Sequence, residues 1–304
     1  MKQAFATAIG SIMDKDERVL LLIGDLGYGV LDRIIGRHSD RVVNMGICEQ
    51  NMMSTAAGLA HEGFSVFCYS IANFPSLRCL EQIRNDVAAD ALSVKIVSVG
   101  AGFAYGTAGM SHLGTEDMNI IRCLPNMTVY NPCDPVDAGL CTWKAYQTEG
   151  PCYLRLGRGH EPAVIGEGGV FAPYHVVKHG GEVALVASGA ILNDVWQAAL
   201  RLQEEGTDCA VYGISRIKPL GEGLVEELSR YPLVLTFEDG NIIGGVGSSL
   251  LEAANEAGVN LHLLRKGLDD EFVSVVGSPG YLRMVYGLDR DSIVQCVKKE
   301  LHAI

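Results

Sequence analysis

The sequence predicts an α/β protein built as two doubly wound domains with mostly parallel sheets. Apolar runs of strand length alternate with longer amphipathic stretches along most of the chain, and such alternation folds into a parallel sheet covered by helices. At 304 residues there is room for about two domains of ordinary size. An apolar share of 48% together with 36 glycines suits a fold with many tight strand–helix turns.

Residues 2–15 carry Phe5, Ile9, Ile12 and Met13 at helical spacing and predict an amphipathic helix. Val19 to Ile23 is a continuous apolar strand, followed by the loop Gly24-Asp25-Leu26-Gly27-Tyr28-Gly29. No Lys-Ser/Thr follows those glycines, so a nucleotide P-loop is excluded. Val42 and Val43 end a short apolar run, Gly46 breaks it, and Glu49 opens a helix whose Met52, Ala56, Leu59 and Ala60 share one face. Strand 65–69, a helix through Arg84 and Val87, and strand 94–99 come next. A long glycine-rich loop then runs from Gly102 to His112, and loops of that length are usually functional or mobile. Glu116 and Asp117 start a short helix, Pro125 to Asp134 gives a strand and turn, and Pro151 to Gly159 closes the first domain at 1–162.

Residues 163–180, with four glycines, Pro173 and weak periodicity, read as a linker. The second domain, 181–304, restarts the alternation: strand 183–187, helix 191–205, strand 209–214, helix 222–230, strand 233–237, helix 246–257, strand 260–264 and helix 291–302. Gly244-Gly245-Val246-Gly247-Ser248 lacks the G-x-G-x-x-G spacing of a dinucleotide site, so these glycines are read as close backbone approach, and an independent NAD-binding protein is set aside.

The formal charge of −12 argues against nucleic acid or an anionic membrane as partner. No apolar run reaches the length of a membrane span and no secretory h-region follows Met1. The nine cysteines form no C-x-x-C pair and no Cys/His cluster at zinc spacing. The expectation is a reducing cytoplasm, without a disulfide framework or a metal ligated by this chain.

Glu49 and Gln50 are the only strongly polar side chains at the start of their helix. One reading of Glu49 is a first-turn acid that favours the helix dipole. The other is a partly desolvated carboxylate kept for proton chemistry or for a ligand. Gly46-Ile47-Cys48-Glu49-Gln50-Asn51-Met52, followed by Ala56-Ala57-Gly58-Leu59-Ala60, resembles the signature of the pyrimidine-binding domain of thiamine-diphosphate enzymes, nearest to transketolases and 1-deoxyxylulose-5-phosphate synthases. The resemblance makes Glu49 the carboxylate that hydrogen-bonds N1′ of the cofactor's aminopyrimidine ring and favours its imino form, the protein supplying orientation and electrostatics. It places Gln50 beside the cofactor and an aromatic from the following segment on the ring, Phe74 first and Tyr69 second. The alternative for Phe74 is a core residue at a strand–helix junction.

The same resemblance aligns Gly109 to His112 with the end of the family's active-site loop, so that His112 contacts substrate oxygens and shuttles protons. Arg158 matches an Arg that grips a substrate phosphate, a task suited to a fork of donors. The rival reading is that Arg155 or Arg158 pairs with a carboxylate of this chain. Pro125-Asn126-Met127-Thr128-Val129-Tyr130-Asn131-Pro132 extends the resemblance within the first domain, and Arg216-Ile217-Lys218-Pro219-Leu220 with Glu238 to Ser248 carries it into a transketolase C-terminal-like second domain. Asp25 and Asn51 do not form the family's G-D-G…N metal–diphosphate motif, since Leu26 replaces a Gly and Asn51 lies within the Glu49 helix. The diphosphate-binding domain is thus missing from this sequence. The resemblance therefore implies a split enzyme, with thiamine diphosphate shared between this chain and an N-terminal transketolase-like subunit. That subunit would hold the magnesium or calcium ion, and the pair would assemble as a dimer of heterodimers.

Gly100 and Ala108 stand near positions where transketolases carry a His and an Asp, and the loop lacks the Arg of the synthases. The implied reaction is transfer of a two-carbon ketol unit from a ketose or ketose phosphate to an aldose acceptor, with a modified, branched or unphosphorylated sugar left open. The alternatives are a pyruvate-decarboxylating synthase, a 2-oxoacid dehydrogenase β-type subunit, and a non-catalytic scaffold.

Overall fold

The computed structural model describes residues 1–159, 161–166 and 169–303. Their order is α1 (Lys2–Met13), β1 (Val19–Ile23), α2 (Asp32–Arg37), β2 (Val42–Asn44), α3 (Glu49–His61), β3 (Ser65–Ile71), α4 (Leu80–Gln82), β4 (Val94–Val99), α5 (Asp117–Ile121), β5 (Thr128–Tyr130), α6 (Pro135–Gln147) and β6 (Cys152–Leu156). The second half adds β7 (Tyr174–Lys178), β8 (Val183–Ala187), α7 (Leu192–Glu204), β9 (Cys209–Ile214), β10 (Arg216–Lys218), α8 (Leu224–Leu228), β11 (Val234–Asn241), α9 (Val246–Glu256), β12 (Leu263–Leu268), α10 (Pro279–Val285) and α11 (Arg290–Leu301).

The first sheet runs β10-β5-β6-β4-β3-β1-β2 and the second β12-β11-β8-β9-β7. All pairings are parallel except β10 with β5 and β7 with β9, each at a sheet edge. Central strands such as β1 (VLLLI) and β4 (VKIVSV) are buried on both faces, which is why they read as unbroken apolar runs rather than as alternation. Lys95 in β4 is accommodated because its ammonium donates to the Thr148 and Gly150 carbonyls at 2.7 and 2.6 Å.

Phe5, Ile9, Ile12 and Met13 of α1 pack with β1 and with Cys141 and Ala145 of α6 on one face of the first sheet. On the other face Met52, Met53, Ala56 and Ala57 of α3 join a cluster that continues through Met118, Ile121 and Leu124 into Val186, Tyr212 and Ile217. That cluster therefore spans both halves. Local signals agree with the helix starts: Asp134 caps α6 by accepting from the Asp137 N–H, with Pro135 at the first helical position, and Ser278 and Pro279 do the same for α10.

Three elements depart most from the sequence expectation. Tyr174–Lys178, inside the span read as a linker, forms strand β7; it is half-buried throughout, so its side chains show no apolar alternation. Arg216–Lys218 is a strand of the first sheet, reached by crossing back from the second half. The helix α10 has no counterpart in the sequence reading, although its Ser-Pro start is a readable signal. No helix among the described residues is long and apolar enough to cross a membrane.

Candidate active site

Parallel strands place their following loops at one edge, and crevices there are where ligands bind in open α/β sheets. In the first sheet, β1 sends the chain outward to β2, whereas β3 and β4 lie on its other side. The crevice is bounded by the β1, β3 and β4 ends, with the start of α3 laid across it. Ile23 is level with Tyr69 in register, and Ile71 with Val99.

Glu49 is the first residue of α3 and only 2% exposed. Its Oε1 accepts from the Ser70 hydroxyl at 3.2 Å, and its Oε2 from Arg78 Nη1 at 2.8 Å. Gly24, directly after β1, allows the approach: a Cβ there would lie 3.0 Å from Ser70 Oγ and 3.4 Å from Glu49 Oε1. The carboxylate is thus a desolvated acid held at the crevice floor, beyond what a first-turn dipole contact requires.

Phe74 follows β3 on a turn closed by Cys79 Sγ, which donates to the Phe74 carbonyl at 3.1 Å. Burial, and then the nearby Glu49 charge, push the Cys79 thiol up to about 12, which leaves it a packing group rather than a nucleophile. The Phe74 ring meets His112 edge-to-face, centroids 5.3 Å apart. Its face carries the Arg78 guanidinium at 4.3 Å.

His112 ends the long loop, and the loop is pinned at its base. Gly102 and Gly114 exchange backbone hydrogen bonds of 2.8 and 3.2 Å, and Asn73 Nδ2 donates to the Leu113 carbonyl at 2.5 Å. Arg155 also donates to the Gly114 carbonyl while pairing with Asp117 at 3.0 Å. Both members of that pair are buried, and the Tyr153 hydroxyl adds a 2.5 Å bond to Asp117. Ser111 Oγ lies 3.0 Å from His112 Nδ1. The imidazole is therefore oriented from below and from one side.

The structure thus brings Glu49, Phe74 and His112 together. The second-choice aromatic is corrected: Tyr69 is 1% exposed and stacks on Phe5, centroids 5.5 Å apart, on the core side of β3. Strand alternation sends it away from the crevice. Gln50 is exposed and donates to the Arg78 carbonyl at 3.2 Å, bracing that segment. Of the two arginines, Arg155 is a structural ion-pair partner, in line with the rival reading. Arg158 instead lies over the Tyr105 ring at 4.9 Å. With Lys2, Ala104, Asn193 and Arg283 it lines a cavity of about 480 Å³ at the root of the same loop.

Arg78, Ser70, Asn73 and Ser111 escape sequence reasoning. Only Arg78 carries a signal: it lies four residues after Phe74, a spacing at which a cation can fold back over an aromatic on a helical turn.

Residues 1–162 match the family model described as transketolase, pyrimidine binding domain, and residues 174–293 match that of the transketolase C-terminal domain. The chain belongs to the transketolase family. A putative transketolase C-terminal section from Methanocaldococcus jannaschii is 32% identical over 307 residues, covering 99% of this chain and 96% of that protein. An apulose-4-phosphate transketolase subunit of Actinobacillus succinogenes is 32% identical over 258 residues, covering 84% and 83%. A solved structure described as a split gene transketolase, inactive beta4 tetramer, superimposes with a TM-score of 0.89 at 33% identity, covering 99% of this chain and 97% of that one. The 1-deoxy-D-xylulose-5-phosphate synthase of Nitrosomonas eutropha is 31% identical, and this chain spans 48% of its length.

Transketolases use thiamine diphosphate, and the residues of this family member fit its pyrimidine end. A buried carboxylate, a half-buried aromatic face and an imidazole converge on one crevice. Arg78 places a planar nitrogenous group on Phe74 while donating to Glu49.

Proposed function

We propose that this chain is the C-terminal, pyrimidine-binding subunit of a split transketolase-like transferase that moves a two-carbon ketol unit from a ketose to an aldose acceptor. The observation that carries this reading is the convergence of Glu49, Phe74 and His112 at the carboxyl edge of the first sheet. A relative named as a C-terminal section and another named as a transketolase subunit, each matched over most of its length, support the split arrangement.

Thiamine diphosphate, once bound, supplies the carbon nucleophile that takes up the ketol unit. Glu49 holds the ring by a hydrogen bond at its pyrimidine nitrogen, from a site where low dielectric strengthens that bond. Phe74 supports the ring face. His112, oriented by Ser111 and the pinned loop, exchanges protons with substrate oxygens at the adjacent position. Arg158 holds an anionic end of the sugar in the cavity that it lines. The partner is an N-terminal subunit that binds the diphosphate with a magnesium or calcium ion, and two of each assemble as a dimer of heterodimers. We assign residues 1–162 to the pyrimidine-binding domain, 163–180 to the connection and 181–304 to the C-terminal-like domain. The nine free thiols fit a reducing cytoplasm.

The test is reconstitution. Mixed with a diphosphate-binding subunit and thiamine diphosphate, the chain is expected to form a larger complex by size exclusion and to transfer ketol units from sugar phosphates. Full cofactor-dependent activity in this chain alone would overturn the split arrangement. Carbon dioxide release from pyruvate, without ketol transfer, would replace the transketolase reading with the decarboxylating one.

A further inference from the structure

The crevice already contains a group with the shape of half a cofactor. Arg78 Nη1 lies 2.8 Å from Glu49 Oε2, and the guanidinium carbon is 4.3 Å from the Phe74 ring centroid. A guanidinium is planar, delocalised and rich in in-plane N–H donors. An aminopyrimidine is also planar, carries an in-plane N–H at its ring nitrogen in the imino or protonated form, and stacks through its face. The two groups call on the same two protein contacts, a face of Phe74 and an oxygen of Glu49.

We infer that Arg78 is a built-in placeholder for the pyrimidine ring: its guanidinium occupies the ring's slot in the free chain and must swing out before the cofactor seats. This rests on the reading of Glu49 and Phe74 as the ring's partners. The asymmetry of burial supports it. The Glu49 side chain is 2% exposed and fixed at the start of α3, whereas the Arg78 side chain is 46% exposed on a short turn. The ion pair can therefore open only by movement of Arg78. Stranding a desolvated carboxylate without a partner is strongly unfavourable, so Arg78 satisfies Glu49 until a ligand brings its own donor. Whatever displaces it has to replace both contacts, which makes Arg78 a determinant of what the slot accepts. Gln50 braces the hinge, its amide bonded to the Arg78 carbonyl at 3.2 Å.

The experiment titrates 4-amino-2,5-dimethylpyrimidine, the ring end of the cofactor without its diphosphate, into the purified full chain by calorimetry. A protein whose slot is filled by its own side chain shows an affinity reduced by the fraction of time that the slot is open. Arg78→Ala is expected to bind the pyrimidine at least about tenfold more tightly than the unaltered chain. Arg78→Lys, which keeps the ion pair and loses the planar stack, should fall between the two. In Arg78→Ala, millimolar guanidinium chloride at constant ionic strength should compete with the pyrimidine and raise the melting temperature, and it should do neither in the unaltered chain. Binding in Arg78→Ala and Arg78→Lys that is equal to or weaker than in the unaltered chain overturns the placeholder, as does no binding by any of them. The underlying reading fails separately if adding Glu49→Ala to Arg78→Ala leaves pyrimidine affinity unchanged.

Discussion

The two sheets end their parallel strands in opposite ways. At the carboxyl edge of the first sheet, β1, β3 and β4 open into loops that leave Phe74 and His112 half-exposed around a single buried acid, whose cationic partner faces solvent. At that of the second, Ser188, Glu238 and Asp239 are all buried. Ser188 bonds to the Asn131 and Ile214 carbonyls, Asp239 pairs with Arg283 at 3.0 Å, and Glu238 accepts from the Val246 N–H at 2.9 Å and the Gly247 N–H at 3.4 Å at the start of α9. The edge is plugged against the first half, with the Asn241 N–H on the Thr115 carbonyl and Asn119 on the Asn241 and Ile243 carbonyls. It also buttresses the His112 loop: Gly102 adopts φ 55 where a Cβ would overlap the Asp239 carboxyl. Both edges hold buried acid: Glu49 at the first, Glu238 and Asp239 at the second. What separates the two edges is the exposure of the acid's partner, 46% for the Arg78 side chain against 13% for that of Arg283.

The sharpest way to break this contrast is to remove one acid from each kind of place. Glu49→Ala should lower ketol transfer by the reconstituted enzyme about 10²–10⁴-fold, read from steady-state kinetics. Its denaturant midpoint should move far less than that of Asp117→Ala, which strands the buried Arg155 where that residue meets Ser188, Glu238 and Asp239 at the seam and should cost about 3–5 kcal/mol. If the two variants exchange these signatures, the division between site and seam is wrong.

A second test uses pH. Burial raises the Glu238 carboxyl to about 7, against an ordinary value of 4.5, despite its two backbone donors. Between those values the folded chain keeps a proton that the unfolded chain has lost, so stability should fall as pH rises through that window and then level off. Glu238→Gln should remove this slope and be relatively more stable above the window, as followed by thermal melts across pH.

The smallest effects concern the two aromatics. Phe74→Leu should weaken pyrimidine binding by about 0.5–1.5 kcal/mol, the value of an aromatic contact beyond its area. Tyr69→Phe preserves the stack on Phe5 and should change that affinity by less than about twofold. A calorimetric titration of both variants checks this assignment.

Much of this is legible in the order of residues. The strands β1, β4, β8 and β9 can be placed to the residue because each is an unbroken apolar run between turn signals. Glu49 and His112 stand out through the resemblance of their motifs to the family signature, since a charged helix start and a long glycine loop by themselves fit a dipole contact and a surface histidine equally well. The strand β10 is illegible, since three residues with two cations acquire strand character only by pairing with β5. Arg78 carries only its spacing of four from Phe74, which by itself does not tell it from a surface arginine.

By itself, the sequence determined the α/β alternation, the family signature around Glu49 and the position of the long loop, because periodicity and glycine placement act within a few residues. Only the tertiary structure decided that the second sheet's acids are sealed, that Tyr69 faces the core, and that Arg78 lies between Glu49 and Phe74. Those outcomes depend on which desolvated groups meet across strands and helices distant in sequence, and a linear pattern does not contain that distance.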